Sequence, residues 1–465
     1  MSALLCAVFL AGGNLFAADP RSLVFKPLKV EARAAERVVL SNGIVLYLVE
    51  DHELPTVSIA AYIRTGAIYE PAGLTGLAAL TGTVMRTGGS ARFKGDLIDE
   101  ELELLAASVE FGIQDEEGTA TLWSLKRHFP RVLEIFADIM MHPAFPEDKI
   151  GLAKAEAVED IRRRFDEPGP TADIMFERLV YGPESPWARL STEAGIKAVK
   201  RRDMIGFHRR FFKPGAVVMA VAGDFSKEDL AAAIEKALGG WGVAAGDVPA
   251  VAPVKEVSTG GVFLVSRNIS QSNLRIGHLG IRIDNPDHFA LKLMDRILGH
   301  GGFNDRLFTD IRSKRGLAYA VWSWVRPGLK DLGTISVGGE TKSESTGEMV
   351  AAVLDHLERL RVEEVGDEEL GLAKESYENS LAFEFRSSAQ IARRSAYYEY
   401  HGLPVDWFMI ERLGVLAQGK EDILRVARQH LRPDKAVILA VGDAESLRSQ
   451  LSKFGEVKDL PLPGP

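Results

Sequence analysis

The segment from Asp203 to Asp224, DMIGFHRRFFKPGAVVMAVAGD, holds a helical pattern that opens at Asp203 and stops at Pro214. A strand pattern from Val217 to Val221 and the pair Gly223-Asp224 follow. Proline ends the helix because it has no N–H and its ring crowds the preceding turn. The apolar, largely β-branched run after it suits a buried strand. The same order returns between Asp422 and Asp443, DILRVARQHLRPDKAVILAVGD, with Pro433, Val437 to Val441 and Gly442-Asp443 at offsets of 219 or 220. Two shorter landmarks keep that register. Gly151-Leu152-Ala153-Lys154 returns as Gly371-Leu372-Ala373-Lys374, 220 residues later, and Tyr181-Gly182 matches His401-Gly402. Three matches in one order mark an internal duplication.

Each half mixes strands and helices. Ile44 to Val49, after the turn Ser41-Asn42-Gly43, and Val57 to Ile63 read as strands. Arg131 to Met141 reads as a helix with Pro130 at its start, and Ala153 to Phe165 as a helix charged on most faces. Strands and helices do not alternate strictly, which argues against a doubly wound parallel sheet. The expected fold is α+β: two homologous domains, each a largely antiparallel sheet with helices packed on one face. The run Gly239-Gly240-Trp241-Gly242 and the Ala, Gly, Val and Pro stretch to Pro253 has no period and reads as a connection. The expected domains are residues 30–245 and 255–460, joined by 246–254.

At 465 residues, the chain exceeds what one core serves. With 46% hydrophobic and 26% charged residues it is of the globular class, and its net charge of -9 with no long basic run gives no nucleic-acid footprint. Ala3 to Ala11 is a short apolar run, followed by mostly small or apolar residues to Ala17-Ala18 and a polar start at Asp19-Pro20. That run is too short to span a bilayer. Residues 1–18 read as an export signal, although no Lys or Arg precedes the apolar run. Periplasmic location without stable membrane insertion is the expectation. Cys6 is the only cysteine, so a mature chain has neither disulfides nor a Cys-ligated metal.

Gly66-Ala67-Ile68-Tyr69-Glu70-Pro71, then Gly76-Leu77-Ala78, resembles the opening of the pitrilysin/insulinase zinc peptidase domain. In active members this leads into H-x-x-E-H. The two histidines lie on one helix face and bind Zn²⁺, while the glutamate takes a proton from zinc-bound water. A later glutamate is the third ligand. Here the corresponding stretch is Ala79-Leu80-Thr81-Gly82-Thr83, which offers neither ligand nor base. Glu159 stands near the spacing of the third ligand, and one carboxylate does not hold zinc. The resemblance therefore implies a degenerate site at Ala79, Gly82, Thr83 and Glu159, with no metal in this chain. Read without the resemblance, Glu159 is one charge among many on its helix.

The block Gly301-Gly302-Phe303-Asn304-Asp305-Arg306-Leu307-Phe308, continued by Asp310 to Tyr319, resembles the second-domain signature of the same family. There an arginine and a tyrosine seven residues later bind the substrate backbone and help polarise the scissile carbonyl. Arg312 and Tyr319 have that spacing. Read without the resemblance, Arg312 is a solvated helix charge and Tyr319 a strand aromatic. Gly301 and Gly302 suit a tight turn, since no Walker-type lysine or G-x-G-x-x-G accompanies them.

Two-domain bacterial chains of this family can pair, one with H-x-x-E-H and the other with the Arg and Tyr. The resemblance thus implies a non-catalytic, substrate-binding subunit of a heterodimeric zinc metallopeptidase, inactive alone, with zinc in the partner. Two rivals stay open: a catalytically inactive scaffold or assembly protein, and a free-standing peptide-binding protein of the same fold.

Overall fold

The computed structural model describes residues 34–255 and 260–464, so the export-signal segment 1–18 and Cys6 lie outside the described residues. The first half contributes β1 (Glu36–Val39), β2 (Val45–Glu50), β3 (Thr56–Ile63), β4 (Ser108–Ile113), β5 (Gly118–Leu125) and β6 (Val217–Gly223). They form one sheet in the order β1-β2-β6-β3-β5-β4, in which only the β2–β6 pair is parallel. The second half contributes β7 (Gly261–Ser266), β8 (Gln271–Leu279), β9 (Ala318–Arg326), β10 (Thr334–Lys342), β11 (Val437–Gly442) and β12 (Val457–Asp459). Its order, β12-β7-β11-β8-β10-β9, repeats the first sheet strand for strand except at the outer edge. There β1 runs antiparallel to its neighbour and β12 parallel. The duplication and the α+β class read from the sequence are both present.

Each sheet buries one face against helices of its own half. In the first half these include Leu77–Gly88, Phe129–Met141 and Arg201–Phe211. The expectation of one helical face is extended on the other side, because each half covers the remaining face of its neighbour. The helix Ser388–His401 lays Ile391, Ala392, Ala396 and Tyr400 on Tyr47, Ala60, Val218 and Ala220 of the first sheet. The helix Pro168–Tyr181 lays Ala172, Met175, Phe176 and Val180 on Val265, Leu279, Val437 and Leu439 of the second. Burial on both faces is why β6 and β11 are apolar throughout and lack the alternation of a half-exposed strand. Tyr400 Oη donates to the carbonyl of Ile63 at 3.1 Å, and Tyr181 Oη to that of Leu332 at 3.0 Å, so each exchanged helix is pinned near its C-terminal end.

Four helix starts differ from the sequence reading. The helix read from Arg131 begins at Phe129, with Pro130 as its second residue. The helix read from Ala153 begins at Glu147, directly after Pro146. The repeated helices begin at Arg201 and Lys420, before Asp203 and Asp422. Each aspartate is the third helical residue, and its carboxylate accepts from the backbone N–H of Lys200 at 2.8 Å or Gly419 at 2.9 Å. An acid there satisfies a donor left open at the helix start and complements the dipole.

His208 lies buried between Phe145 and Phe212, with Nε2 2.9 Å from the Met140 carbonyl. Burial pushes its pKa down to about 4. A depressed histidine pKa means that the unfolded chain binds more protons than the folded one below pH 6.5. The stability is complete above that pH and falls as pH drops toward 4, by roughly 2 kcal/mol on reaching pH 5. Urea unfolding at pH 7 and pH 5 should show this loss, and His208→Gln should remove most of it. An equal loss in the variant would assign the effect to other groups.

Candidate functional site

The region of the degenerate motif is built on Glu70. Its buried carboxylate accepts from the N–H groups of Gly76 at 3.0 Å and Ala78 at 2.6 Å, at the start of the helix Leu77–Gly88. Burial raises its pKa, and these two N–H bonds with the nearby Arg189 oppose the rise. Arg189 also donates to the carbonyls of Ala67 and Glu70, both at 2.8 Å. The Gly66–Pro71 and Gly76–Ala78 stretches thus fix how the helix enters the domain.

On that helix Ala79 and Thr83 face solvent, four residues apart on one side, whereas Gly82 is buried. Gly82 sits against β4 so closely that a Cβ there would lie 2.9 Å from Ile113 N and 3.0 Å from Gly112 Cα. Both atoms are strand backbone, so a glutamate at this position would require helix and strand to separate. Glu159 is exposed on the helix Glu147–Arg163, which packs along Leu77–Gly88, and pairs with Arg163 at 2.7 Å. Among the described residues no three His, Cys, Asp or Glu side chains come together to hold a metal ion.

The structure brings Arg312 and Tyr319 together. Arg312 lies on the helical turn Phe308–Lys314 and Tyr319 on the edge strand β9. The Arg312 guanidinium sits 4.7 Å from the Phe308 ring centre and 5.7 Å from that of Tyr319. Among the described residues it has no carboxylate within ion-pair distance. The nearest acid in sequence, Asp310, is taken by Arg315 at 3.0 Å and His356 at 2.9 Å. Tyr319 is 80% exposed. Its backbone explains its direction. On β10, Glu340 faces Ala320 while Thr341 faces Ala318, so Tyr319 is the extra residue of a β-bulge. A bulge interrupts the ladder and re-aims one side chain.

The surrounding block is held rigidly. Asp305 accepts from Phe308 N at 2.7 Å, and Arg306 makes a two-pronged pair with Glu369 at 2.6 and 2.8 Å. Gly302, at φ 84°, makes the left-handed turn expected there. Phe303 was not singled out by the sequence reading. It is 78% exposed and packs edge-on against Phe308 at 5.0 Å, which adds an apolar wall beside the pair. An exposed aromatic carries no signal in a single sequence, because the same residue type more often fills a core.

The comparisons with known proteins agree with this architecture. The model for "Insulinase (Peptidase family M16)" matches residues 45–179, and that for "Peptidase M16 inactive domain" matches 198–377. An uncharacterized zinc protease, YmxG, of Bacillus subtilis is 23% identical over 357 residues, covering 76% of this chain and 85% of the relative. An uncharacterized zinc protease of Mycobacterium bovis is 28% identical over 340 residues, covering 69% and 74%. The crystal structure of a peptidase M16 inactive domain from Pseudomonas fluorescens superposes with a TM-score of 0.77 at 25% identity, covering 88% of this chain and 98% of that one. A protease from Helicobacter pylori shares the fold at a TM-score of 0.75 and 18% identity, covering 88% and 99%. The two family models together span most of both halves, and the chain belongs to the M16 (insulinase) peptidase family.

Proposed function

We propose that the chain is the non-catalytic, substrate-binding subunit of a heterodimeric zinc peptidase, exported to the periplasm. Its partner is a second chain of this fold that carries H-x-x-E-H and the metal. Arg312 and Tyr319 hold the peptide backbone at the partner's cleavage site. The observation that supports this reading is the pair itself, a guanidinium that lies over the Phe308 and Tyr319 rings with no carboxylate within ion-pair distance among the described residues, beside an exposed phenol. Both groups donate hydrogen bonds to carbonyl oxygen, and donors fixed in advance are what a developing oxyanion gains from most.

The residues at the degenerate motif do not fit zinc. Ala79 has no ligating atom, a threonine hydroxyl is a poor ligand, and the position of the base is closed by β4. No catalytic step is therefore assigned to this chain alone.

The test is reconstitution. The purified chain should hold no stoichiometric zinc and leave peptides uncut. Added to an H-x-x-E-H partner, it should bring about cleavage that neither chain shows alone. One tightly bound zinc per chain, or full activity of the partner by itself, would sink the proposal. A stable complex with unchanged turnover would favour the scaffold reading.

A further inference from the structure

A cavity of about 780 Å³ lies where β9 and the segment Arg296–His300 meet the helices Ser388–His401 and Trp407–Ala417, with Tyr62 of the first sheet at its wall. None of Ala79, Gly82, Glu159, Arg312 or Tyr319 lines it. Its volume is that of a small-molecule site.

The charges lining it are unequal once their partners are assigned. Three acids are present and all are engaged. Glu411 is held by Lys292 at 2.5 Å and His288 at 3.2 Å. Glu384 is paired with Arg394 at 2.5 Å. Asp295 accepts from Ser323 Oγ at 2.5 Å and Val325 N at 3.1 Å, turned toward β9. Three arginines remain. Arg326 and Arg393 have no carboxylate within ion-pair distance among the described residues. Arg296 rests on two hydroxyls, Ser376 at 3.2 Å and Ser380 at 2.8 Å, and its buried Nε has no partner. Flat apolar surface accompanies these cations. Arg326 lies over the Trp324 ring at 4.9 Å, Tyr397 meets Tyr62 edge-on at 6.3 Å, and Trp407 also lines the cavity.

We propose that this cavity binds a carboxylate carried on a flat apolar body, either a free aromatic acid or the C-terminal residue of a peptide. A planar guanidinium matches a carboxylate with two parallel hydrogen bonds. The aromatic rings take the body of the ligand.

Titration calorimetry of the full chain with 2-naphthoate tests this, with 2-naphthamide as the uncharged twin. Naphthoate should bind at least ~10-fold more tightly than the amide, because only the carboxylate brings a negative charge and two acceptor oxygens to the arginines. The double variant Arg326→Gln/Arg393→Gln should lose that preference. Both arginines are exposed, so the variant should fold, which its circular dichroism and Tm verify. A second arm uses the peptide Ala-Ala-Ala-Trp with a free or an amidated C-terminus. Tighter binding of the free-acid peptide than of naphthoate assigns the site to peptide ends. The reverse assigns it to free acids. Equal binding of naphthoate and naphthamide, or a preference that survives the double variant, overturns the proposal.

Discussion

Replacing Tyr319 by Phe in the reconstituted peptidase is expected to lower kcat by about 10²- to 10³-fold, the usual loss for one preorganised oxyanion donor. The change deletes a hydroxyl and keeps the ring, so the packing beside Arg312 and Phe308 persists. Because Tyr319 is 80% exposed on a bulge, the variant should keep its stability to within about 0.5 kcal/mol. Arg312→Ala should lose as much or more, since a guanidinium can hold the carbonyl through two N–H groups. Arg312→Lys should recover only part, because a lysine ammonium keeps the charge without the planar fork. Initial rates at saturating peptide, measured alongside complex formation by analytical ultracentrifugation, separate the roles. Unchanged rates in all three variants, with the complex intact, would remove the pair from the chemistry and leave it as surface structure.

How much of this was legible in the sequence depends on the range of the interactions. The duplication was readable because it rests on local signals: a proline that stops a helix, an apolar strand, and Gly-Asp after it. Both aspartates at the repeated helix starts were visible, but their position was misjudged. An aspartate suits both the cap and the third helical residue, and only the hydrogen bond to Lys200 or Gly419 decides. The exchange of Pro168–Tyr181 and Ser388–His401 between the sheets left no mark that a single sequence can be read for. A helix that covers a neighbouring domain has the same apolar stripe as one that covers its own. The Arg312 and Tyr319 spacing was visible, whereas the bulge that turns Tyr319 outward depends on its pairing with Glu340 and Thr341 on another strand.

The positions that the resemblance matches to the zinc motif show the same division, and they support the second large prediction. The sequence shows that Ala79, Gly82 and Thr83 cannot do zinc chemistry. The structure adds that the three positions are not equivalent. Ala79 and Thr83 face solvent, so Ala79→His and Thr83→His together should fold with a stability change within about 0.5 kcal/mol. Histidines four residues apart on one helix face are a metal-binding pair, and the helix bearing Glu159 packs alongside. This double variant should therefore take up zinc where the unaltered chain does not. Adding Gly82→Glu should not complete an enzyme. Its Cβ meets the backbone of Ile113 at 2.9 Å and of Gly112 at 3.0 Å, and backbone in a paired strand cannot turn aside as a side chain can. Overpacking alone costs about 1–3 kcal/mol, and forcing a carboxylate between helix and strand adds to it. At roughly 2–4 °C per kcal/mol for a domain of this size, Tm should fall by about 5–10 °C or more. Gly82→Ala isolates the first part, since it adds only the Cβ, and should produce a smaller fall in the same direction. The measurement is a thermal melt and a zinc determination on the unaltered chain and on each of the three variants. A triple variant that melts with the double variant and cleaves peptide would mean that β4 yields at Gly112 and Ile113, and that the site was lost through its side chains alone.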